Sequence, residues 1–316
     1  MKVLLLGATG TIGRATATAL HTDGHEVSCL VRPGADARSL SQLELIRGEV
    51  TDCATLAGVM SKGGFDAIVS CLASRTGVPA DAEAIDRDAH IAVLQAALAH
   101  GIARFVLLSA ICVQKPKLGF QFAKLAFEAL LQTSPLTWSI VRPTAYFKSL
   151  SGQVTRVKAG RRFLLFGSGR LTACKPISDR DLGRYLASCL TDPARQNRVL
   201  PIGGPGPALT PFDQGEMLFR LLGRTPSYRR VPVELLDGVI TGLTLGGHVV
   251  PRLRAKAELA RIGRYYATES MLVWNTETGT YEADATPSFG TDTLETHYQR
   301  LIQGDIADDR GAHAVL

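Results

Sequence analysis

A short apolar run, Val3–Leu6, passes directly into GATGTIG (residues 7–13) and then into a helical pattern from Thr11 to Thr22. A chain written this way turns sharply after a strand and presents backbone N–H groups at a helix start, where the dipole favours an anion. Glycines at 7, 10 and 13 suit a tight turn, close backbone approach to a pyrophosphate and close helix packing. Gly7, Thr9, Gly10, Thr11, Ile12, Gly13 and Arg14 are therefore candidate contacts of a dinucleotide. A glycine triplet alone says little; its place between a strand and a helix, with further alternating units behind it, carries the reading.

Those units follow at Val27–Val31, Leu43–Arg47 and Ala67–Cys71, each of strand length. From Ala82 to His100, helical spacing puts Ile85, Ala89, Ala92, Ala96 and Ala99 on one face and turns Asp86, Arg87 and Gln95 away. Arg104–Leu108 reads as a strand, Phe120–Leu131 as a helix stopped before Pro135, and Trp138–Val141 as a strand stopped before Pro143. One more strand fits Arg198–Ile202, and Pro211–Leu222 and Glu234–Ile262 look largely helical around breaks. The fold class expected is α/β: a Rossmann-like parallel sheet with helices on both faces and a smaller C-terminal substrate-binding lobe.

Composition narrows the partners. With 46% apolar residues in 316, the chain can build a substantial core and is not a disordered tail. Its charge of +6 is scattered with no polybasic arm, which favours a small anionic ligand and argues against a dedicated nucleic-acid surface. Six cysteines, at 29, 53, 71, 112, 174 and 189, lack the paired spacing of zinc or iron–sulfur sites and read as buried thiols, so no protein-bound metal is expected. No uncharged stretch approaches the roughly 20 residues of a membrane span. Val239–Val250 comes nearest, which leaves only surface contact with a membrane open.

The end of HEVSCLVR would carry an acidic residue in a site that holds a ribose diol. Arg32 stands there instead, with Arg38 beyond it and Arg14 after the turn, a set suited to a 2′-phosphate and hence to NADPH. Asp52 can accept from the adenine amine or cap the next helix. Ser70 and Ser109 close strands beside the expected crevice, and Lys124, fifteen residues after Ser109, can reach the nicotinamide ribose. Residues 1–205 form the expected NADP-binding domain and 206–316 mainly the substrate lobe, with pocket contributions from 142–175.

The residue four before Lys124 is Phe120, where a carbonyl reductase of this type places a proton-donating tyrosine. Carbonyl chemistry by that device is demoted, and reduction of a conjugated carbon–carbon double bond is favoured. Lys124 and Tyr146 are the candidate catalytic residues, Tyr146 as proton source or pocket wall. Arg142 and Pro143 frame the nicotinamide side, and Phe147 supplies an apolar wall.

These residues resemble the atypical short-chain dehydrogenases. GATGTIG, Arg32 and FQFAKLAFE, together with KAELARIGRYYATESMLVW (256–274) and ETGTYEADATPSFGTDTLETHY (277–298), are similar more narrowly to NADPH-dependent divinyl chlorophyllide 8-vinyl reductases. The resemblance implies reduction of an 8-vinyl group to ethyl on a magnesium tetrapyrrole, divinyl chlorophyllide or its protochlorophyllide precursor, the magnesium belonging to the substrate. On it, Tyr265, Tyr266, Met271 and Trp274, with Phe120, divide their duty between the core and a pocket flanking the planar ligand, and Glu269 and Ser270 orient loops; core packing alone would account for the same aromatic set. Lys256, Arg261 and Arg264 either meet a propionate or form local pairs with Glu258. With the first strand starting at Val3, a bacterial cytoplasmic enzyme is expected, making at most transient contact with pigment-pathway partners or a membrane surface. Two alternatives stay open: an isoflavone-reductase-like enzyme acting on another conjugated alkene, and an NADP(H)-sensing regulator.

Overall fold

The computed structural model describes residues 1–307. Strands β1 (Lys2–Leu6), β2 (Glu26–Val31), β3 (Glu44–Arg47), β4 (Ala67–Ser70), β5 (Arg104–Leu108) and β6 (Thr137–Pro143) lie in one sheet. After β7 (Phe163–Phe166), which lies elsewhere, β8 (Arg198–Ile202) completes it in the order β3-β2-β1-β4-β5-β6-β8, every pair parallel. The order reverses between β1 and β4, which opens a crevice beyond the carboxyl ends of those strands.

Both sheet faces are covered, so β1 is apolar throughout. Val3 and Leu5 pack toward Ala17 and Leu20 of α1 (Thr11–Thr22) and Leu182 and Leu186 of α5 (Asp179–Ser188). Leu4 and Leu6 face the opposite layer, made by α2 (Cys53–Gly63), α3 (His90–Ala99) and α4 (Gly119–Thr133), through Leu56, Val93 and Phe127. Helices α1 and α5 meet almost backbone to backbone: a Cβ on Gly183 stands 2.6 Å from the carbonyl carbon of Ala15.

The expected strands recur with ends moved by a residue or two. The helix expected from Ala82 to His100 differs in substance. Residues Glu83–Ala89 form a π-helical stretch before α3 begins, and its wider turn shifts the phase of every side chain in it. Asp86, expected to point outward, is buried, while Ala99, expected inward, is exposed. The cysteines need a smaller correction: Cys53 is exposed because it opens α2 immediately after the capping Asp52, and Cys71 is only partly buried.

The remaining elements build against one end of this sheet. β7 pairs with β9 (Tyr228–Val231), which the sequence reading missed, as it missed the short hairpin of β10 (Val273–Asn275) and β11 (Thr280–Glu282). The longer helices here are α6 (Pro211–Leu221), α7 (Val233–Gly246), α8 (Pro251–Thr268) and α9 (Leu294–Gln303), the last capped by Thr293. Ile262 and Tyr265 of α8 pack with Phe120 and Ala123 at the start of α4, so α8 lies beside the crevice. No described helix is long and apolar enough to cross a membrane.

Because the Ala15 backbone cannot retreat, Gly183→Ala forces α1 and α5 apart and should cost about 1–3 kcal/mol. Thermal unfolding checks this; an unchanged midpoint would show that the two helices separate freely.

Candidate active site

The glycine turn is sterically obligatory at two points. Gly7 has φ +74°, and a Cβ there would stand 2.5 Å from the Cys71 carbonyl oxygen; one on Gly13 would stand 2.1 Å from the Gly7 oxygen. Gly10 caps α1 without a side-chain acceptor and the first turn holds no acidic residue, so its leading N–H groups are left for a ligand. Arg14 donates to the Thr9 carbonyl at 2.7 Å. Lys148, which the sequence reading missed, donates to the Thr11 hydroxyl at 2.9 Å and brings an ammonium from the far side of the cleft to this turn. The cradle fits a dinucleotide pyrophosphate.

Arg32 lies exposed at the end of β2 and has no ion pair among the described residues. Arg38 differs, because its guanidinium is taken by Asp36 at 2.7 Å in full solvent, and that hydrogen bond holds the Asp36 carboxyl down to about 2. Arg47 sits opposite Val31 across β2–β3 and donates to the Arg32 and Ala35 carbonyls at 3.2 and 2.9 Å, bracing the loop. Asp52 is occupied as the cap of α2, accepting from the Thr55 hydroxyl at 2.6 Å and from the amides of Ala54 and Thr55.

Beneath the crevice lies a buried polar layer. Lys124 reaches Asp86 at 2.8 Å, with side-chain exposures of 11% and 0%. The Ser74 amide donates to the same Asp86 oxygen at 3.3 Å, and the other oxygen, Oδ2, is buried without a partner among the described residues. Ser109 donates to Glu128, and Arg142 pairs with Glu128 through Nε at 3.2 Å and through Nη2. Ser109 and Arg142 thus stand at the expected strand ends, with their polar atoms turned to a buried carboxylate. Pro143 is buried at the end of β6.

His90 bonds Ser70 at 2.8 Å through Nε2 and the Ile85 carbonyl at 2.8 Å through Nδ1. The Ile85 acceptor assigns the proton to Nδ1, leaving Nε2 to accept from Ser70. Burial, reinforced by the neighbouring Lys124 ammonium, lowers the imidazole to about 4 and keeps it neutral.

The candidate wall residues lie in different places. Phe120 is buried against α8. Phe147 is a correction: it turns into the core with Val154, Phe163, Leu218 and Tyr298, while its neighbour Tyr146 is partly buried against the layer of β1 and α1. Tyr265 is also buried, its hydroxyl donating to the carbonyls of Cys112 and Lys115 at 2.9 and 3.1 Å. Glu269 accepts from Lys115 at 2.9 Å, from Lys117, and from the Tyr281 hydroxyl at 2.7 Å. Trp274 lies under the Lys115 ammonium at 4.1 Å, and Met271 packs in the core beside Phe120. Arg261 pairs with Glu258 and Arg264 with Asp237.

Tyr146 and Tyr266 lie near each other and near the Cys112 thiol. Burial pushes Tyr146 far up, with the Cys71 and Cys112 thiols adding to it. Tyr266 is 41% exposed as a residue, while burial of its hydroxyl beside Cys112 raises it well above the usual phenol. Both keep their protons throughout the neutral range.

Residues 7–193 match the family model of NAD(P)H-binding domains. The chain is 47% identical to the divinyl chlorophyllide a 8-vinyl-reductase of Oryza sativa subsp. indica, across 96% of this chain and 79% of that one. The chain belongs to the divinyl chlorophyllide a 8-vinyl-reductase family. More distantly, it is 29% identical to the photosystem II assembly factor Ycf39 of Guillardia theta over 75% of each chain. In fold it is similar to an Escherichia coli NADPH-dependent quinone oxidoreductase solved with NADPH, with TM-score 0.69 and 16% identity over 95% of this chain and 99% of that one. The expectation of a bacterial cytoplasmic enzyme is overturned, since the family members at 44–48% identity are chloroplastic plant proteins.

Two outcomes follow from this geometry. Arg32→Ala should weaken NADPH binding about 10-fold or more and NADH binding little; equal losses in titration would remove Arg32 from the phosphate. For His90, the unfolded chain takes up a proton between about pH 6.5 and 4 that the folded chain refuses, so stability falls as pH drops through that window, by about 3 kcal/mol. Urea unfolding at pH 7 and 4.5 measures it, and His90→Gln should flatten the slope; the same slope in both proteins would contradict the assignment.

Proposed function

We propose that this chain uses NADPH to reduce the 8-vinyl group of divinyl chlorophyllide or divinyl protochlorophyllide to an ethyl group, an oxidoreductase step on a CH–CH bond in chlorophyll or bacteriochlorophyll synthesis. Kinship along 96% of the chain with a reductase of that name carries the reading. In this division, residues 1–205 hold the cofactor and 206–316, with 142–175, hold the magnesium tetrapyrrole. Transient contact with pigment-pathway partners belongs to the same reading, supported by the likeness to a photosystem II assembly factor.

NADPH, when bound, supplies the hydride. The protein's work is binding, alignment and one proton. The turn at Gly7–Gly13, with Lys148, receives the pyrophosphate, and Arg32 receives the 2′-phosphate. Lys124 holds the nicotinamide ribose and sets positive potential where negative charge grows after hydride addition. Phe120 removes the phenol that would protonate a carbonyl oxygen, as suits a vinyl group whose charge spreads into the conjugated ring. Tyr146, protonated at neutral pH and partly buried beside Cys71, whose backbone meets the glycine turn at Gly7, is the proposed donor to the second vinyl carbon.

Incubation of the protein with NADPH and divinyl chlorophyllide should consume the vinyl group with one NADPH oxidised per ethyl group formed. Lys124→Ala should lower turnover about 100-fold. NADPH binding without ethyl product would overturn the function, and an unchanged rate in the variant would take Lys124 out of the site.

A further inference from the structure

Asp86 is the residue that ordinary helical spacing puts on the outside and the structure puts beneath the cleft. The π-helical stretch Glu83–Ala89 brings it inward, where its carboxylate is fully buried. Taking a carboxylate out of water costs several kcal/mol, and an apolar pair of similar volume is commonly as stable as a buried ion pair. Asp86 is also incompletely satisfied: Oδ1 takes both the Lys124 ammonium at 2.8 Å and the Ser74 amide at 3.3 Å, and among the described residues Oδ2 takes nothing. Of the ionisable groups near Asp86 in sequence, Arg87 and Asp88 pair with each other, and His90, at the start of the next helix, contributes no charge because burial beside the Lys124 ammonium keeps it neutral. Glu128, the next carboxylate along α4, is engaged by Arg142 and Ser109. Asp86 is therefore the counter-charge of Lys124, and through Ser74 it also ties the loop after β4, which edges the crevice, to the helix that carries the lysine.

We infer that Asp86 is a positioning residue, which holds the Lys124 ammonium against the loop after β4 at the place where the cofactor's nicotinamide ribose is received. It touches neither pigment nor reacting atoms. The turnover part of this inference rests on the reductase reading, whereas the cofactor-affinity part does not.

The test is Asp86→Asn, which keeps shape and removes charge. NADPH affinity, measured by titration without pigment, should weaken about 10-fold, and kcat should fall about 10- to 100-fold, as a displaced aligning group costs. KM for divinyl chlorophyllide should change less than about twofold, because the pigment does not meet Asp86. The two effects should not multiply: in a Lys124→Met background, adding Asp86→Asn should alter NADPH affinity and residual turnover by less than about twofold. Should either single variant fail to fold because it strands a buried charge, the double variant, which buries none, still decides: wild-type NADPH affinity and kcat in it would overturn the inference. Wild-type affinity and kcat in Asp86→Asn, or a further tenfold loss in the double variant, would overturn the inference. A wild-type protein that bound NADPH but formed no ethyl product would instead strike the reductase reading and leave the affinity result standing.

Discussion

Two carboxylates, Asp86 and Glu128, are buried behind the carboxyl ends of β4, β5 and β6, and each must find a cation or forfeit several kcal/mol. Asp86 finds Lys124 and Glu128 finds Arg142. Lys124 and Glu128 are four residues apart on α4 and so share one face of the helix. The register of α4 consequently sets both pairs at once, and Arg142 locks that register to β6. Around these pairs the layer is neutral, with His90 and Ser70 bonded to each other. Removing one partner of such a pair strands the other charge in the interior, typically at 3–5 kcal/mol. The floor of the cleft is accordingly stiff, and the groups expected to act on the cofactor inherit their positions from it.

Much of this was legible in the sequence because it rests on local rules. The strand, glycine turn and helix at the N-terminus, the strands at 104–108 and 198–202, and the replacement of tyrosine by Phe120 can be read from spacing and residue type. Asp86 could not, because a π-helical turn breaks the periodicity that the reading uses. Phe147 was misplaced for a related reason: at the end of a strand, one residue decides whether a ring faces the cleft or the core. β7 and β9 are four-residue strands paired across more than sixty residues of chain, with arginines in β9 that mask its pattern. Lys148 and Arg47 carry no local signature at all, since their partners at Thr11 and Ala35 are brought near only by the fold.

The C-terminal sequence marks also change meaning in three dimensions. Tyr265 and Glu269, one turn apart on and just after α8, both point to the segment 112–117 that leads into α4. They act as a clasp, with Lys115 set over Trp274 as a further contact. Tyr266, about 100° further round the helix, keeps part of its surface exposed, with its hydroxyl beside Cys112. The clasp fixes α8 beside the polar layer beneath Lys124, so the lobe proposed to receive the pigment is docked on the element that presents the lysine.

The central claim is that NADPH lies along the glycine turn with its transferable hydrogen facing the vinyl group above Lys124. NADPH carrying deuterium at the transferred position of the nicotinamide ring, mixed with divinyl chlorophyllide and this protein in ordinary water, tests it most directly. The account requires one deuterium in each new ethyl group, with the second hydrogen drawn from solvent-exchangeable sites. An ethyl product free of deuterium would contradict it.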